Sequence, residues 1–374
     1  MNTPGELKPS QRILLGPGPS GVHPRVYQAL ATPILGHLDP EFLTIMDEIQ
    51  QQLRFVFQTQ NRLTIAVSGT GSAGMEAAFV NVLEPGDNVI VGVNGVFGTR
   101  MSDVVTRCSA NAIQIEAPWG KAIDIQQVAD TLKKTAKVKA VALVHAETST
   151  GVLQPLDEVG GLCKRHGALF IADAVTSLGG LPVKVDEWQI DVCYSGTQKC
   201  LSCPPGLAPV TFSDAALKVA QSRPTKVQSW YLDVTMIANY WADSSRAYHH
   251  TAPISMNYAL REALRLVQEE GLEPRFERHK RHSLALLSGL QPLGLTPFVD
   301  EGIRLPTLNA IRVPPNVEEA KVRRRLLQDY NIEIGGGLGD LAGKVWRIGL
   351  MGESASQANV VYLLAALQEI LNVK

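Results

Sequence analysis

Two charged side chains, a carboxylate and an amine, lie in stretches of the sequence that are otherwise apolar. Asp173 ends the run ALFIAD, and Lys199 follows another apolar run within YSGTQKCLSCPPG. A carboxylate buried at the end of a strand needs a hydrogen-bonding or charged partner. A lysine removed from water can act as a nucleophile and as a base. A solvated loop lysine is the ordinary alternative for Lys199, but its nearly uncharged flanks favour a desolvated amine.

A glycine-rich loop ahead of a helical pattern offers a site for an anion. Residues 69–74 read GTGSAG, which matches the G-x-G-x-x-G fingerprint of dinucleotide binding. A dinucleotide also needs an acidic residue about 20 positions further on, at the end of the next strand. That strand, NVIVGVNG, ends in Asn94 and Gly95 instead. The hydroxyls of Thr70 and Ser72 suit a phosphate monoester, so the loop favours a single phosphate over NAD, and a plain tight turn stays open as an alternative.

These three features together indicate pyridoxal 5′-phosphate (PLP). That cofactor needs a lysine for its Schiff base, an acid beside its pyridinium nitrogen and a cradle for its phosphate. Lys199, Asp173 and the loop at 69–74 would supply them, because ligands bind at the carboxyl ends of the strands in an α/β sheet. The acid would keep the ring nitrogen protonated, so that the ring can accept electrons from a substrate carbanion.

The elements that must position these residues follow two patterns. Up to about residue 215, short apolar runs alternate with helix-length segments, which predicts an α/β fold with a mostly parallel sheet between helices. Beyond this come long helical patterns, two strand-like runs, TLNAIRVP and KVWRIGLMG, and an amphipathic helix. We predict an N-terminal arm outside any core (1–22), a large domain (23–270) and a smaller α+β domain (271–374). The runs assigned to buried strands are Leu63–Val67, Asn88–Val93, Val138–His145, Ala168–Asp173, Ile190–Tyr194 and Leu207–Phe212.

Composition and charge argue against several classes of partner. The chain has 374 residues, 45% of them hydrophobic, and a net charge of −1, which is ordinary for a globular protein and gives no sign of a nucleic-acid partner. The most basic run, RFERHKRH from Arg275 to His282, has apolar positions at helical spacing and is interpreted as a solvated helix face. No apolar run approaches the roughly 20 residues of a membrane span.

The cysteines indicate a reducing compartment. The five cysteines are irregularly spaced, which fits a protein without structural disulfides. Cys200 and Cys203 form a C-x-x-C pair, but zinc would need two further ligands at matching spacing. We therefore expect no metal and a cytoplasmic location.

Longer motifs extend these features over nearly the whole chain. In order they are LLGPGPSGVHPRV, SGTGSAGMEAAFVNVLEPGDNV, NGVFGTRM, HAETSTGVLQPL, DAVTSLGG, YSGTQKCLSCPPG, YHHTAPISMNYALRE and GKVWRIGLMG. In their order and spacing the chain resembles the class V, fold-type I PLP-dependent aminotransferases. Within them it is similar to the alanine–glyoxylate and serine–glyoxylate (serine–pyruvate) group. The resemblance implies the fold-type I architecture, PLP as cofactor and a homodimer with shared active sites.

The resemblance also implies a role for each residue that matches a family motif. Lys199 would form the internal aldimine, Asp173 would pair with the pyridinium nitrogen, and Arg347 would bind the substrate carboxylate, which suits a bidentate guanidinium. Phe97 would stack on the ring, at a position where close relatives often carry Trp. The further residues implied are Thr70, Gly71, Ser72, Thr148 and Gln198 for the cofactor, Gly18 and His37 for the substrate, and Tyr248 and Thr251 for the phosphate of the neighbouring subunit.

Ordinary structural roles compete with some of these assignments. Phe97 could be a core residue, Tyr248 and Thr251 could simply start a helix, and Arg347 could point to solvent from its strand.

The reaction implied is transfer of an amino group from alanine or serine to glyoxylate. A close alternative is (S)-ureidoglycine–glyoxylate aminotransferase, which VDEWQID and GTQKCLS resemble. That branch carries Gln at the position of His37 and Asn at that of Tyr248, and these departures favour a small amino acid donor. A cysteine desulfurase would typically have His before the Schiff-base lysine, where this chain has Gln198. An NAD-dependent dehydrogenase built on residues 69–74 is the alternative from another class.

Overall fold

The computed structural model describes residues 3–242 and 246–372, in which strands and helices alternate along most of the chain. The strands are β1 (Ile13–Leu14), β2 (Leu63–Ser68), β3 (Asn88–Val93), β4 (Asn111–Glu116), β5 (Val138–Val144), β6 (Ala146–Glu147), β7 (Val152–Leu153), β8 (Leu169–Asp173), β9 (Val192–Tyr194), β10 (Leu207–Phe212), β11 (Leu308–Arg312), β12 (Ile332–Glu333), β13 (Gly335–Gly336) and β14 (Val345–Gly349). The helices are α1 (Pro24–Leu30), α2 (Pro40–Phe57), α3 (Gly71–Val82), α4 (Val96–Arg107), α5 (Ile125–Lys134), α6 (Val159–Arg165), α7 (Asp214–Gln221), α8 (Val234–Tyr240), α9 (Ile254–Glu270), α10 (Leu272–Leu290), α11 (Glu319–Asp329) and α12 (Gln357–Leu371).

The main sheet brings the carboxyl ends of six strands to one edge. Its order in the described residues is β2-β10-β9-β8-β5-β3-β4. Every neighbouring pair is parallel except those of β10, which runs antiparallel to both β2 and β9. Strands β2, β9, β8, β5, β3 and β4 therefore all end at the same edge. The α/β fold with a mostly parallel sheet is confirmed, and this edge is where such sheets bind ligands.

All six predicted strands are present in the main sheet. Its seventh strand, β4, was not predicted. Strand β4 (NAIQIE) lies at the sheet edge and pairs only with β3, and three of its six residues are exposed. The prediction relied on apolar runs buried on both faces. The polar, exposed residues of β4 do not give that signal, whereas β2, at the opposite edge, is buried over most of its length and does.

Two large hydrophobic cores and one small cluster lie in the described residues. The first core contains the main sheet and extends from Val26 to Val267. The second joins α10, α11 and α12 to the antiparallel sheet β11-β14-β13. Leu15 is fully buried in this second core, and β1 pairs in parallel with β12. The expectation that residues 1–22 lie outside any core is therefore wrong for Ile13 and Leu15, because their apolar side chains pack into the C-terminal core.

The interpretation of RFERHKRH as a solvated helix face is also wrong for one side of this run. Arg275, His279 and His282 lie on one side of α10 and are only 6%, 0% and 5% exposed. Their spacing of four and three residues places them on one face. The sequence pattern could not show this, because charged side chains become buried only when specific partners exist.

The described residues include no helix that is long and apolar enough to cross a membrane and no group of side chains that could hold a metal ion. All five cysteines are buried and free.

Two adjacent glycines in α6 give a matched test of the packing behind β8, the strand that ends in Asp173. A Cβ on Gly160 would press against the carbonyl oxygens of Trp188 and Gln189, the second at 2.7 Å, whereas on Gly161 it would meet only Arg165 Nη1 at 3.6 Å. We expect Gly160→Ala to lower the free energy of unfolding by about 1–3 kcal/mol because backbone must shift. Gly161→Ala should raise it by about 0.5–1 kcal/mol because alanine favours a helix. Urea unfolding of both variants checks this, and equal effects would contradict the packing described.

Candidate active site

The loop at residues 69–74 forms the start of α3 with its hydroxyls at the surface. Gly69 has a φ of +146°, and a Cβ there would lie 2.6 Å from the Cβ of Ala73, so the turn requires glycine. Thr70 precedes the helix, and its side chain does not cap the helix start. Thr70 and Ser72 are exposed. Their hydroxyls and the first N–H groups of α3 can therefore meet an anion together.

This loop packs on the turn that leads to Lys199. Gly71 is buried, and a Cβ on it would lie 3.4 Å from Gly196 Cα. In the same turn Gln198 Oε1 is buried and has no hydrogen-bond partner among the described residues. A buried amide without a partner fits a polar ligand, and by turning over it can present N–H donors to a phosphate.

Asp173 keeps one carboxylate oxygen unpaired inside the protein. Its side chain is 2% exposed, and Oδ1 accepts a hydrogen bond of 2.8 Å from the backbone N–H of Val175. Oδ2 has no partner of hydrogen-bond geometry among the described residues. Burial raises the pKa of Asp173 to about 7, while the Val175 N–H and the nearby Tyr194 hydroxyl oppose the shift. A cationic hydrogen-bond donor at Oδ2 would stabilise the ionised form.

The Lys199 amine is held close to the N-terminal segment. Nζ donates to the carbonyl oxygen of Pro17, and a Cβ on Gly18 would lie within 2.8 Å of Lys199 Cε. Gly18 has a φ of +115°, so both its conformation and this contact require glycine. Burial, assisted by the charge of Arg347, lowers the pKa of Lys199 to about 8 against the opposing effects of Cys200 and Asp173. The amine is therefore neutral more often than that of an ordinary lysine, which suits a nucleophile and base.

Arg347 is buried and does not point to solvent, so the alternative of a solvent-facing side chain is wrong. It lies on β14 and is only 6% exposed. Its Nε donates to Gly336 O at 2.7 Å, and its Nη1 donates to Thr148 O at 3.3 Å. The Thr148 hydroxyl lies 2.5 Å from that of Thr176. Arg347 therefore joins the C-terminal sheet to the segment that follows β5.

Phe97 lies in the first turn of α4, where an unpredicted carboxylate caps the helix. Its half-buried ring packs against the first core, and the Arg100 guanidinium carbon lies 4.9 Å from the ring centre. Glu147 is fully buried and accepts hydrogen bonds from the N–H groups of Phe97 (3.1 Å), Gly98 (3.3 Å) and Ser149 (3.1 Å). Burial raises the pKa of Glu147, whereas these hydrogen bonds and the positive end of the helix favour its ionised form.

The sequence analysis missed two residues that support this site, Glu147 and His145. The backbone N–H of His145 donates to Asp173 O at 2.9 Å, and its ring is 2.9 Å from Ser177 Oγ. Burial lowers the pKa of His145 to about 4, so the ring is neutral. Both residues lie in HAETSTG directly after an apolar run, which is the signal that identified Asp173, and the same reasoning could have found them.

Three predicted site residues lie apart from the others within one chain. The ring of His37 is 5.0 Å from that of Tyr248, which is 58% exposed, and Thr251 is also exposed. Among the described residues, no hydrogen bond or ring contact joins these three to Lys199, Asp173 or Arg347. The structure thus brings together Gly18, Lys199, Asp173, Thr148, Arg347 and the loop, but not this group.

The residues that meet at the sheet edge fit the cofactor that the sequence indicated. The unpaired Oδ2 of Asp173 can accept the N–H of a cationic ring. The Lys199 amine can bond to an aldehyde, and the start of α3 with Gln198 can receive a phosphate.

Comparisons with known proteins place this arrangement among aminotransferases. The family model described as aminotransferase class-V matches residues 25–344. The (S)-ureidoglycine–glyoxylate transaminase of Bacillus subtilis (strain 168) is 41% identical, over 98% of this chain and 92% of that protein. The alanine–glyoxylate aminotransferase of Callithrix jacchus is 45% identical, over 96% and 87%. A crystal structure of alanine–glyoxylate aminotransferase from Nostoc sp. superposes with a TM-score of 0.97 at 49% identity, over 99% and 98%.

The buried carboxyl of Asp173 should make the cofactor-free protein less stable as the pH rises. Its pKa is 3.8 in an ordinary setting and about 7 here, so the folded state holds a proton that the unfolded state has lost. The stability of the wild type therefore falls between these two values, at about 1.4 kcal/mol per pH unit. We expect Asp173→Asn, which cannot ionise, to gain on the wild type by a few kcal/mol over this range.

Urea unfolding of the cofactor-free proteins at about pH 5 and about pH 8 measures this difference. Asp157→Asn changes an exposed aspartate and serves as the control, with the same difference from wild type at both pH values. A difference for Asp173→Asn that is equally constant would show that burial does not shift this carboxyl.

Proposed function

The chain belongs to the class V aminotransferase family, whose cofactor is PLP, and from this premise we propose that it transfers the amino group of alanine or serine to glyoxylate. The products would be glycine and the corresponding 2-oxo acid. Relatives named for two different amino donors share glyoxylate as the acceptor, which supports glyoxylate more firmly than any one donor.

One observation carries the proposal. The amine of Lys199 lies close enough to both Asp173 and Arg347 that the charge of each shifts its pKa. An amino acid has an amine and a carboxylate on one carbon, so a site for it needs an amine-reactive group and a cation at short range. Lys199 would hold the aldehyde of PLP, which is the amine-reactive group, the buried Arg347 would supply the cation, and Asp173 lies beside them.

Each residue would do part of the work. When bound, PLP supplies an aldehyde that condenses with amines and a ring that withdraws electrons from the substrate α-carbon. Lys199 would hold the cofactor at rest, and its neutral amine, once released by the donor, would take the proton from the substrate α-carbon. Asp173 would keep the ring nitrogen protonated. Phe97 would cover one face of the ring, and Thr148 would donate a hydrogen bond near it.

Arg347 would select carboxylates in both halves of the reaction. Its Nε is already bonded to Gly336 O, which fixes the plane of the guanidinium. A carboxylate on the remaining N–H groups would place the α-carbon of the donor beside Lys199. Glyoxylate is the smallest 2-oxo acid, and its carboxylate would occupy the same position while its aldehyde carbon receives the amino group.

The donor is assigned from two residues that the structure places side by side. His37 and Tyr248 have ring centres 5.0 Å apart. At the active site of the second copy in a dimer, two aromatic side chains in contact would leave a smaller and more apolar opening than the Gln and Asn of the ureidoglycine branch. A ureido group needs polar partners, so this pair favours alanine or serine. Ureidoglycine is the second candidate, since the Bacillus subtilis relative matches 98% of the chain.

We further propose a homodimer in which each active site is shared. Tyr248 and Thr251 are exposed and apart from Lys199 of their own chain, so they are free to reach the phosphate in a second copy. Large apolar side chains are also exposed, including Tyr27 (56%), Ile34 (72%) and Trp230 (58%). Exposed apolar surface of this kind is typical of a protein–protein contact.

The cellular location and the domain division are also proposals. Five free, buried cysteines fit the reducing conditions of the cytoplasm. The two hydrophobic cores support the division into a large domain (23–270) and a small domain (271–374).

A donor panel tests the reaction. With glyoxylate as acceptor, we expect alanine or serine to give at least about tenfold higher kcat/KM for glycine formation than (S)-ureidoglycine. Lys199→Ala should lower the rate by at least about 10²-fold and remove the visible absorbance of the bound cofactor, because no amine remains to bond it. Lys133→Ala, which changes an exposed lysine, is the control and should change neither. A higher kcat/KM for ureidoglycine would favour the second candidate.

Mixing two defective variants tests the shared site. Lys199→Ala lacks the amine, and the double variant Tyr248→Ala, Thr251→Ala lacks the residues proposed to act in the partner. Random mixing makes half of the dimers mixed, and each of these has one intact site, so about a quarter of the wild-type activity should return. Mixing after chemical cross-linking of each variant is the control. No recovery from dimers shown to be mixed would mean that these residues act within their own chain.

A further inference from the structure

The buried face of α10 contacts the turns that follow three different strands. Its members are Glu270 at the end of α9 and Arg275, Arg278 and His279 on α10, named here the α10 cluster. The sequence offered no function for these residues, and the proposed reaction does not use them.

Arg275 joins the segment after Asp173 to the segment after Lys199. Its Nε donates to Gly179 O at 2.8 Å, and its Nη2 donates to Cys200 O at 2.7 Å. Gly179 lies in the turn that follows β8, and Cys200 is the residue next to Lys199. A planar guanidinium holds two such acceptors in a fixed relation.

Arg278 and His279 hold the turn that follows β14, the strand of Arg347. Arg278 Nη1 donates to Gly352 O at 2.9 Å and to Ala355 O at 2.7 Å. The N–H of Gly352 donates to His279 Nε2 at 2.9 Å, so the ring proton lies on Nδ1, which faces Arg275 O at 2.7 Å. His279 is therefore bonded as a neutral ring.

Glu270 keeps the two arginines together. It accepts a hydrogen bond of 2.5 Å from Arg275 Nη1 and bonds from both Nε and Nη2 of Arg278. Burial would raise its pKa, but the hydrogen bonds and charges of the two arginines lower the pKa of Glu270 to about 2. The carboxylate stays ionised at working pH and compensates the buried charges.

The two turns also touch each other directly. The N–H of Glu353 donates to Ser202 Oγ at 2.7 Å, and a Cβ on Gly352 would lie 2.8 Å from Cys200 O. Ser20 Oγ donates to Lys199 O at 2.6 Å on the other side. Movement of either turn would therefore displace the other.

We propose that the α10 cluster is a positioning device that sets the spacing between the Lys199 amine and the Arg347 guanidinium, with Arg275 as its central positioning residue. This inference rests on the proposed roles of Lys199 and Arg347. An amino acid must meet both groups at once, because its amine and carboxylate share one carbon. A small shift of either turn should therefore weaken the binding of ligands that contact both the Lys199 position and Arg347. It should leave the binding of ligands that contact only one of them unchanged.

Two small ligands separate these effects in the cofactor-loaded protein. The amino acid 2-methylalanine presents both an amine and a carboxylate, and it has no α-hydrogen to lose. Methylamine presents the amine alone. Dissociation constants for both come from the change in cofactor absorbance, without turnover.

Arg275→Lys keeps the positive charge beside Glu270 but cannot bond Gly179 O and Cys200 O in the same plane. We expect it to weaken 2-methylalanine about tenfold and to leave methylamine within about twofold. Arg278→Lys, which loosens the turn after β14, should also weaken 2-methylalanine and spare methylamine. It replaces Arg275→Lys as the test if that variant fails to fold. Arg281→Lys, on the exposed side of α10, is the matched control and should change neither constant.

The remaining outcomes are distinct. If both variants fold and bind both ligands like the wild type, or weaken both ligands equally, the cluster does not set the spacing and the inference is overturned. If the wild type itself binds 2-methylalanine no better than methylamine, the proposed carboxylate site at Arg347 fails and the inference falls with it. Thermal melting reports separately on a purely structural effect, which would lower Tm and leave both constants unchanged.

Discussion

The carboxyl of Asp173 and the amine of Lys199 are held away from water at the same sheet edge, and burial shifts each toward its neutral form. A protein interior disfavours isolated charges, so such groups need a reason to be there. A bound ligand that brings a cation to Asp173 and an electrophile to Lys199 would supply that reason. Within the described residues, Asp173 Oδ2 and Gln198 Oε1 have no hydrogen-bond partner, which fits the same proposal. The site would suit a bound group, and the rest of the fold holds its residues in place.

Parallel strands make this arrangement possible, because the segments that follow them emerge together. The phosphate loop, Lys199, Asp173 and the segment of Thr148 come from four strands that are distant in sequence but end at one edge. Glu147, in the segment after β5, also lies at this edge. Its side chain accepts a hydrogen bond from the backbone N–H of Phe97 and so holds the start of α4 in place. Arg347 adds the C-terminal core to the site through its bond to Thr148 O. The carboxylate site therefore exists only where the two cores meet.

Charged side chains that a sequence pattern assigns to the surface can be buried when each of them has hydrogen-bonding and charged partners. The α10 cluster holds a buried arginine, a buried histidine and a half-buried arginine around one ionised glutamate and a set of backbone carbonyls. Such a network is rigid, because movement of any one side chain would leave a buried hydrogen-bonding group of another without its partner. Its carbonyl partners belong to turns rather than to helices or strands, and turns are otherwise the most adaptable parts of a fold. Rigidity is thus concentrated at the points where the site residues leave their strands.

The sequence by itself determined the fold class and six of the seven strands of the main sheet, and it singled out the loop at 69–74, Asp173 and Lys199, because these depend on local patterns of burial and residue type. It also carried the family resemblance, which pointed to Arg347 and Gly18. It could not show that the N-terminal residues pack into the C-terminal core, that β4 forms one edge of the main sheet, or that Arg275 and His279 are buried. The first and the last of these depend on partners that are far away in sequence, such as Ile332 for Ile13 and Gly179 for Arg275. Only the tertiary structure brings such partners together, and burial of a charge is decided by its partners rather than by its neighbours in sequence.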